Sequence, residues 1–306
     1  MKVNLFSIGA MRAGSTSIYQ LLNQHPEIYM SKIKEPYYFY AEYWRNRLGT
    51  PLSKSEKNEA ENVINNGKYR TYNSYQTLFT GSEGCRYIGE GSHYLHHPQT
   101  ARIIRQYNPF SKIIISLRNP IDRVFSEYLL YLRDGKLDIS FNEFVRSRIV
   151  WNEKKKRWEP IKLNKGFYSA LIPPWIENFG KENVKIVLFE DLKNEPIKFS
   201  KSLYSWLEID TSFQPVPVHA QRSGKPIYLN GISVFNGKKY FLKEYVKKFI
   251  PTLLRIKIRD SIYKLFLRQQ KMDEASKKIL KEIYIEDIEK LEQLISTDLS
   301  KWKKIK

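Results

Sequence analysis

This 306-residue chain is poor in cysteine, long apolar runs and negative charge, and each shortage excludes something. With Cys85 as its one cysteine it has no intrachain disulfide, so a disulfide scaffold is excluded and a reducing compartment is expected. Cys85 has no nucleophile context and reads as structural. No uninterrupted apolar run approaches the roughly 20 residues of a membrane-spanning helix. Met1-Lys-Val leads directly into a strand-like run, with no room for the charged, apolar and cleavage regions of a signal peptide. The expectation is a cytoplasmic protein, or one peripheral to a membrane. Acids are outnumbered: 32 Asp+Glu face 52 Lys+Arg, a formal net charge of +20. That balance favours anionic partners such as nucleotides, nucleic acid, acidic glycans or a membrane surface, without choosing among them. A merely basic, soluble surface has the same composition.

A lysine is also missing from a place that nearly demands one. The stretch Phe6-Ser-Ile-Gly-Ala-Met-Arg-Ala-Gly-Ser-Thr-Ser17 almost spells the phosphate-binding pattern GxxxxGK[ST]: Gly9, Gly14 and Thr16 fit, but Ser15 stands in the lysine position. Arg12 is the loop's one cation. Val3–Ile8 reads as a buried parallel strand, and Ile18, Leu21 and Leu22 mark a helix over Ser17–Gln24, stopped by His25-Pro26. Strand, glycine turn and helix in this order form an anion nest of backbone N–H groups, with hydroxyls from Ser15 and Thr16. In NTPases the lysine and Mg²⁺ handle the β- and γ-phosphates. A loop without it suits an anion of lower charge moved without a metal, such as a sulfuryl group on a nucleotide phosphate. No acid follows a buried strand in an obvious metal-binding role, Glu190-Asp191 being a possible exception.

Downstream, Lys112–Leu117 reads as a second buried strand, followed by Asn119 as N-cap and Pro120 as first helical residue. Ile121, Val124, Phe125, Tyr128, Leu129 and Leu132 then lie on one helix face. Val184–Phe189 is a third strand and Arg86–Gly89 a weaker one. Strands alternating with helices imply an α/β fold, a parallel sheet covered on both faces, with ligands at the carboxyl ends of the strands. Arg118 leaves its strand at such an end and Ser126 lies eight residues on, so the two together could grip a second phosphate. Tyr43–Gly84 and Val150–Lys165 read as insertions, either lids or solvated loops. Beyond Gly231 the chain turns helical and basic. The stripe Phe241, Leu242, Tyr245, Val246, Phe249 and Ile250 suits a core-packing helix or a membrane-surface contact. Ile279–Trp302 reads as a closing helix plus a cap, with acids interleaved. His25 reads as a helix cap, and His96, His97 and His219 lack metal-ligand spacing.

These motifs in order resemble the sulfotransferases that use 3′-phosphoadenosine 5′-phosphosulfate (PAPS), most closely the bacterial and carbohydrate-modifying branch. Ile8–Thr16 resembles the 5′-phosphosulfate loop, and Ile115–Tyr128 the 3′-phosphate motif. Lys34-Glu-Pro-Tyr-Tyr-Phe39 is similar to the segment that carries a glutamate base. Gly89–Leu95, Gly166-Phe-Tyr168, Phe189–Leu192, Gln221-Arg-Ser-Gly-Lys-Pro226 and Asp298–Trp302 are further resemblances. The resemblance implies a P-loop NTPase-like three-layer fold in one domain over residues 1–306. It places the donor on Arg12, Ala13, Gly14, Ser15, Thr16, Ser17, Arg118, Ser126 and Tyr168. Arg222, Ser223, Gly224 and Lys225 form a late basic loop that closes over the nucleotide.

No metal is implied. The implied chemistry is in-line transfer to a hydroxyl, with Glu35 as general base, His93 as rival base and Arg12 neutralising charge on the leaving group. Glycosaminoglycan-modifying members often carry histidine and aspartate where this chain has Tyr37 and Tyr40, and lysine where it has Gly91. Both departures weaken the case for a heparan-like acceptor; the expected acceptor is a glycan, glycolipid or related small hydroxyl compound ahead of an amine, and the aromatic run Tyr37–Tyr40 is expected to stack on it or line an apolar pocket. A P-loop kinase or NTPase using ATP, and a basic nucleic-acid- or membrane-binding protein without chemistry, are the competing readings.

Overall fold

The computed structural model describes residues 2–66, 69, 71–216, 225–226, 228–229, 232–233, 267–268 and 270–304. They fall into two compact units, one of Met1–Arg118, Phe167–Ala220 and Asp287–Asp298, the other of Asn119–Gly166, Gln221–Glu286 and Leu299–Lys306. In chain order the strands used below are β1 (Leu5–Ser7), β2 (Ile28–Met30), β3 (Tyr87–Gly91), β4 (Lys112–Leu117), β5 (Ile149–Asn152), β6 (Arg157–Pro160) and β7 (Val184–Leu188). The helices are α1 (Ser15–Leu22), α2 (Tyr38–Arg47), α3 (Lys54–Asn66), α4 (Tyr72–Gln76), α5 (Thr100–Tyr107) and α6 (Pro120–Arg133).

The first unit is built on a five-stranded parallel sheet in the order β2-β3-β1-β4-β7. Alternation along β1 assigns its two faces. Leu5 joins Ile18, Leu21 and Leu22 of α1, Ile114 of β4, and Leu203 and Leu207 of the helix Pro196–Leu207. The apolar stripe expected on α1 is thus the face it buries. Phe6 points the other way, edge-on to Phe39 at 5.5 Å, and Phe39 meets Tyr75 at 5.6 Å and Tyr107 at 4.9 Å. Each such buried side chain contributes about 1.5–3 kcal/mol. With helices on both faces, this is the expected P-loop NTPase-like α/β architecture.

In the second unit, Asn119 accepts a hydrogen bond from Ile121 N at 3.0 Å and Pro120 opens α6, as the sequence implies. The ring of Phe125 on α6 lies 4.9 Å from Phe141 and that of Tyr128 5.2 Å from Phe144. Val150–Lys165 contains the antiparallel hairpin β5–β6, in which Trp151 faces Trp158. Of its charged run, Glu153–Lys156 makes the turn and Arg157 opens β6.

Three expectations change. Tyr43–Gly84 is largely helical: Tyr43 lies in α2, and α3 and α4 follow, α4 opened by a Thr71/Ser74 capping box. A mostly polar helix gives little periodic signal, which is why the sequence showed only an insertion. The closing helix starts earlier than expected and runs over Glu274–Ile295, and the expected cap is the separate turn at Ser300–Lys303. His25 is not a helix cap. It is 1% exposed, accepts from Glu27 N through Nδ1 at 3.2 Å and so donates Nε2–H to Asp210 O at 2.9 Å, tying the α1–β2 turn down. The Phe241–Ile250 stripe and His219 lie outside the described residues. Among the described residues no helix is long and apolar enough to cross a membrane.

Candidate functional site

The loop between β1 and α1 is stitched to the carboxyl end of β4. Ala10 N donates to Ser116 O at 2.5 Å, while Ser116 N and Oγ donate to Gly9 O at 2.6 and 2.9 Å. Gly14 occupies the N-cap of α1 in the left-handed region, at φ 83°, and supplies no side chain to the first N–H groups. No acid sits in that first turn. A helix N-terminus left this way suits an anion. Ser15 and Ser17 are buried beside it, Ala13 is fully buried and Thr16 is half-buried. Arg12 is itself left-handed, and its carbonyl accepts from Arg118 Nη1 at 3.3 Å. Met11 N donates to His96 Nε2 at 3.2 Å, so a histidine dismissed as a metal ligand holds the loop backbone. A Cβ at Gly14 would lie 2.8 Å from both Leu192 Cδ2 and Phe189 Cδ2. Gly14→Ala is expected to destabilise the fold by about 1–3 kcal/mol. An unchanged urea midpoint and slope would refute this.

The segment after β2 reaches the same loop. Glu35 and Tyr37 both adopt left-handed backbone angles, φ 63° and 53°. Glu35 N donates to Gly91 O at 2.8 Å and Tyr37 N to Ser92 Oγ at 3.2 Å, fastening the segment to the end of β3. His93 follows directly. Its Nε2 is 3.1 Å from Ser15 Oγ, its Nδ1 3.1 Å from Tyr37 OH and 3.6 Å from Glu35 Oε1. Lys34 pairs with Glu35. The two expected rival bases therefore stand side by side, one of them bonded to the β1–α1 loop through Ser15. Burial pushes the Glu35 carboxyl up, but His93, the Lys34 ammonium and hydrogen bonds from Lys34 and Tyr37 together hold it below its ordinary value. Burial and the Glu35 charge push the Tyr37 hydroxyl far up. The expected aromatic acceptor wall is mostly core: Tyr38, Phe39 and Tyr40 are buried, leaving Tyr37 at the site.

Beneath this segment Glu90, fully buried on β3, accepts from Tyr75 OH at 2.6 Å, and burial raises its pKa to about 7. Tyr94, fully buried beside it, accepts from Phe39 N at 3.3 Å. A carboxyl raised in the fold contributes stability that is fully present below the ordinary 4.5 and lost as pH rises through about 7. Relative to Glu90→Gln, the wild-type protein is expected to lose about 3 kcal/mol over that window. Denaturant unfolding at pH 4.5 and pH 8 checks it, and parallel pH dependences for the two proteins would contradict it.

Arg118 follows β4, with its guanidinium over the Phe189 ring at 4.7 Å. The Tyr168 hydroxyl donates to the Arg118 carbonyl at 3.1 Å, and Tyr168 N is held by Asp287 Oδ2 at 2.8 Å. Tyr168, expected at the nucleotide, thus braces the end of β4. Sequence reasoning placed Tyr37 only in an acceptor wall, not beside the two bases, and gave Ser92, His96 and Phe189 no role in the site. Ser126 is buried on α6 in the second unit. Arg222, Ser223 and Gly224 lie outside the described residues, and Lys225 begins a two-residue strand paired with Leu267–Arg268. Among the described residues there is no cluster of three or more His, Cys, Asp or Glu suited to a metal ion.

The chain is 24% identical over 230 residues to mouse carbohydrate sulfotransferase 15, covering 61% of this chain and 40% of that protein. It is 21% identical over 220 residues to the bifunctional heparan sulfate N-deacetylase/N-sulfotransferase 1 of Caenorhabditis briggsae, covering 67% of this chain and 22% of that protein. The chain thus spans well under half the length of these curated relatives. Among solved structures, a sulfotransferase from Alicyclobacillus acidocaldarius superposes with a TM-score of 0.69 at 26% identity, covering 99% of this chain and 100% of the other. The model of the Sulfotransferase family matches residues 4–214, more than half of the sequence, and on that match the chain belongs to the sulfotransferase family.

Proposed function

We propose that this protein transfers a sulfuryl group from PAPS to a hydroxyl of a glycan, glycolipid or related small acceptor, directly and in line. The observation that carries this reading is the junction of loop and base: Ser15, in the position of an NTPase lysine, is bonded to His93, which stands 3.6 Å from the Glu35 carboxylate. The uncapped N–H groups of α1 and the Ser15 and Thr16 hydroxyls would hold the donor's sulfuryl end, and Arg12 would neutralise charge on the departing oxygen. Glu35, ionised at neutral pH because its neighbours hold its pKa down, would take the acceptor's proton.

Arg118, steadied by Phe189, is assigned to the donor's 3′-phosphate. Ser126 and Tyr168 join it on the sequence motifs, as do Arg222, Ser223, Gly224 and Lys225. The names of the relatives support a carbohydrate acceptor; Tyr37, Tyr40 and Gly91 speak against a heparan-like one. A cytoplasmic location is part of the same proposal.

Labelled PAPS offered in EDTA, with panels of glycans, glycolipids, small hydroxyl compounds and amines, tests the reading. Label is expected on a hydroxyl acceptor without added metal. Transfer to amines alone would overturn the hydroxyl assignment, and Mg-dependent ATP cleavage with no label transfer would overturn the whole.

A further inference from the structure

Glu35 and His93 entered as rivals for one role, yet the structure joins them. Their closest polar atoms, Glu35 Oε1 and His93 Nδ1, are 3.6 Å apart, too far for a direct hydrogen bond. The Tyr37 hydroxyl bridges that gap. It lies 3.1 Å from His93 Nδ1 and is also a hydrogen-bond donor toward the Glu35 carboxylate. We propose that Tyr37 is a positioning residue whose hydroxyl couples Glu35 to His93, so that the proton Glu35 takes from the acceptor comes to rest on the His93 imidazole. This rests on the sulfuryl-transfer reading above.

The protons balance. In the resting site the single Tyr37 O–H is donated to the Glu35 carboxylate, and a neutral His93 with its proton on Nε2 donates to Ser15 Oγ, leaving the Ser15 O–H to donate to an anion in the loop. Glu35 removes the acceptor's hydroxyl proton as the acceptor oxygen bonds to sulfur and the bond from sulfur to the nucleotide phosphate oxygen breaks. Once protonated, Glu35 no longer needs the phenol as a donor, and the Tyr37 O–H turns to His93 Nδ1, 3.1 Å away; Glu35 then gives its proton to Tyr37 O while Tyr37 gives its own to Nδ1. The carboxylate and the phenol are restored, and an imidazolium remains beside Ser15, adding positive charge where negative charge has built up. Tyr37 passes the proton without ionising, consistent with a hydroxyl pushed far up by burial and by Glu35.

The backbone holds this arrangement in place. Tyr37 is left-handed and bonded to Ser92 Oγ, and its ring stands edge-on to Tyr94 at 6.2 Å. The other charged groups acting on the cluster are Lys34, paired with Glu35, and the buried Glu90, whose charge acts on Tyr37.

Tyr37→Phe keeps the ring and removes the bridge. It is expected to lower kcat about tenfold or more, with the donor KM and the affinity for PAP, the desulfated product of the donor, unchanged. The acid limb of kcat is expected to move to higher pH, because Glu35 loses a hydrogen bond that holds its pKa down. In a cycle with His93→Asn, the double variant is expected to be no slower than the slower single, since either change cuts the same path. Losses that multiply, an unmoved acid limb, or weakened PAP binding would overturn the coupling. If wild-type protein transfers sulfuryl groups while Tyr37→Phe behaves like it, the coupling alone fails; if wild-type protein neither binds PAP nor transfers, the parent reading fails with it.

Discussion

Glu35→Gln is expected to lower kcat by a factor of about 10² to 10⁴ while leaving PAP binding intact. Glutamine keeps the length and polarity of the side chain and can adopt the same left-handed backbone at about the same cost, but it cannot accept a proton. The Lys34 ammonium and His93 would remain around a neutral group. In the wild-type protein these neighbours hold the Glu35 pKa below its ordinary value, so the carboxylate is ionised throughout the neutral range. Activity limited by this group should therefore hold on acidification and fall only below the ordinary carboxyl range. The stability that Glu35 contributes has the same sign: it is present above the ordinary value and lost as pH falls through the lowered one. Single-turnover rates from pH 4 to 9, with PAP binding measured alongside, check the prediction. A Glu35→Gln protein that retains its rate would shift the base to His93.

Arg118→Ala is expected to weaken PAP binding about 30- to 100-fold, the worth of about 2–3 kcal/mol of charge-assisted hydrogen bonding. The guanidinium is held over Phe189 and bonds to the Arg12 carbonyl, so it is oriented before any ligand arrives. Preorganisation of this kind makes lysine a poor substitute: Arg118→Lys keeps the charge but loses the planar fork and the stacking. Affinity for adenosine 5′-phosphosulfate, which has no 3′-phosphate, should change far less in either variant. Equal losses for both nucleotides would show that Arg118 acts by supporting the loop through Arg12 and not by contacting the 3′-phosphate.

The sequence showed most where periodicity and caps are local. β4 and the start of α6 were legible to the residue, because a mostly apolar run of six followed by Arg-Asn-Pro combines a buried strand, an N-cap and a first-turn proline. The opening loop was legible for the same reason. The Glu35–Tyr37–His93–Ser15 cluster was not, although each of its members was named separately. Tyr37 and His93 are 56 residues apart, and Ser15 and His93 78 apart, and nothing in spacing predicts such meetings. Left-handed backbone at Glu35 and Tyr37 is equally silent, since neither residue type announces it. Tyr38–Tyr40 looked like a binding wall because aromatics suit both sugars and cores; only the Phe6, Tyr75 and Tyr107 rings around Phe39 show that this run is core. His96 was passed over because a histidine that accepts from a backbone N–H carries no spacing signature.

The central claim is that a P-loop-like turn without its lysine holds a sulfonucleotide and needs no metal. One titration tests it most directly: PAP, Mg-ATP and duplex DNA added separately to the purified protein, each with and without EDTA where the ligand permits. Tight PAP binding that EDTA leaves unchanged, with Mg-ATP and DNA far weaker, is the predicted result. Binding of Mg-ATP without binding of PAP would contradict it.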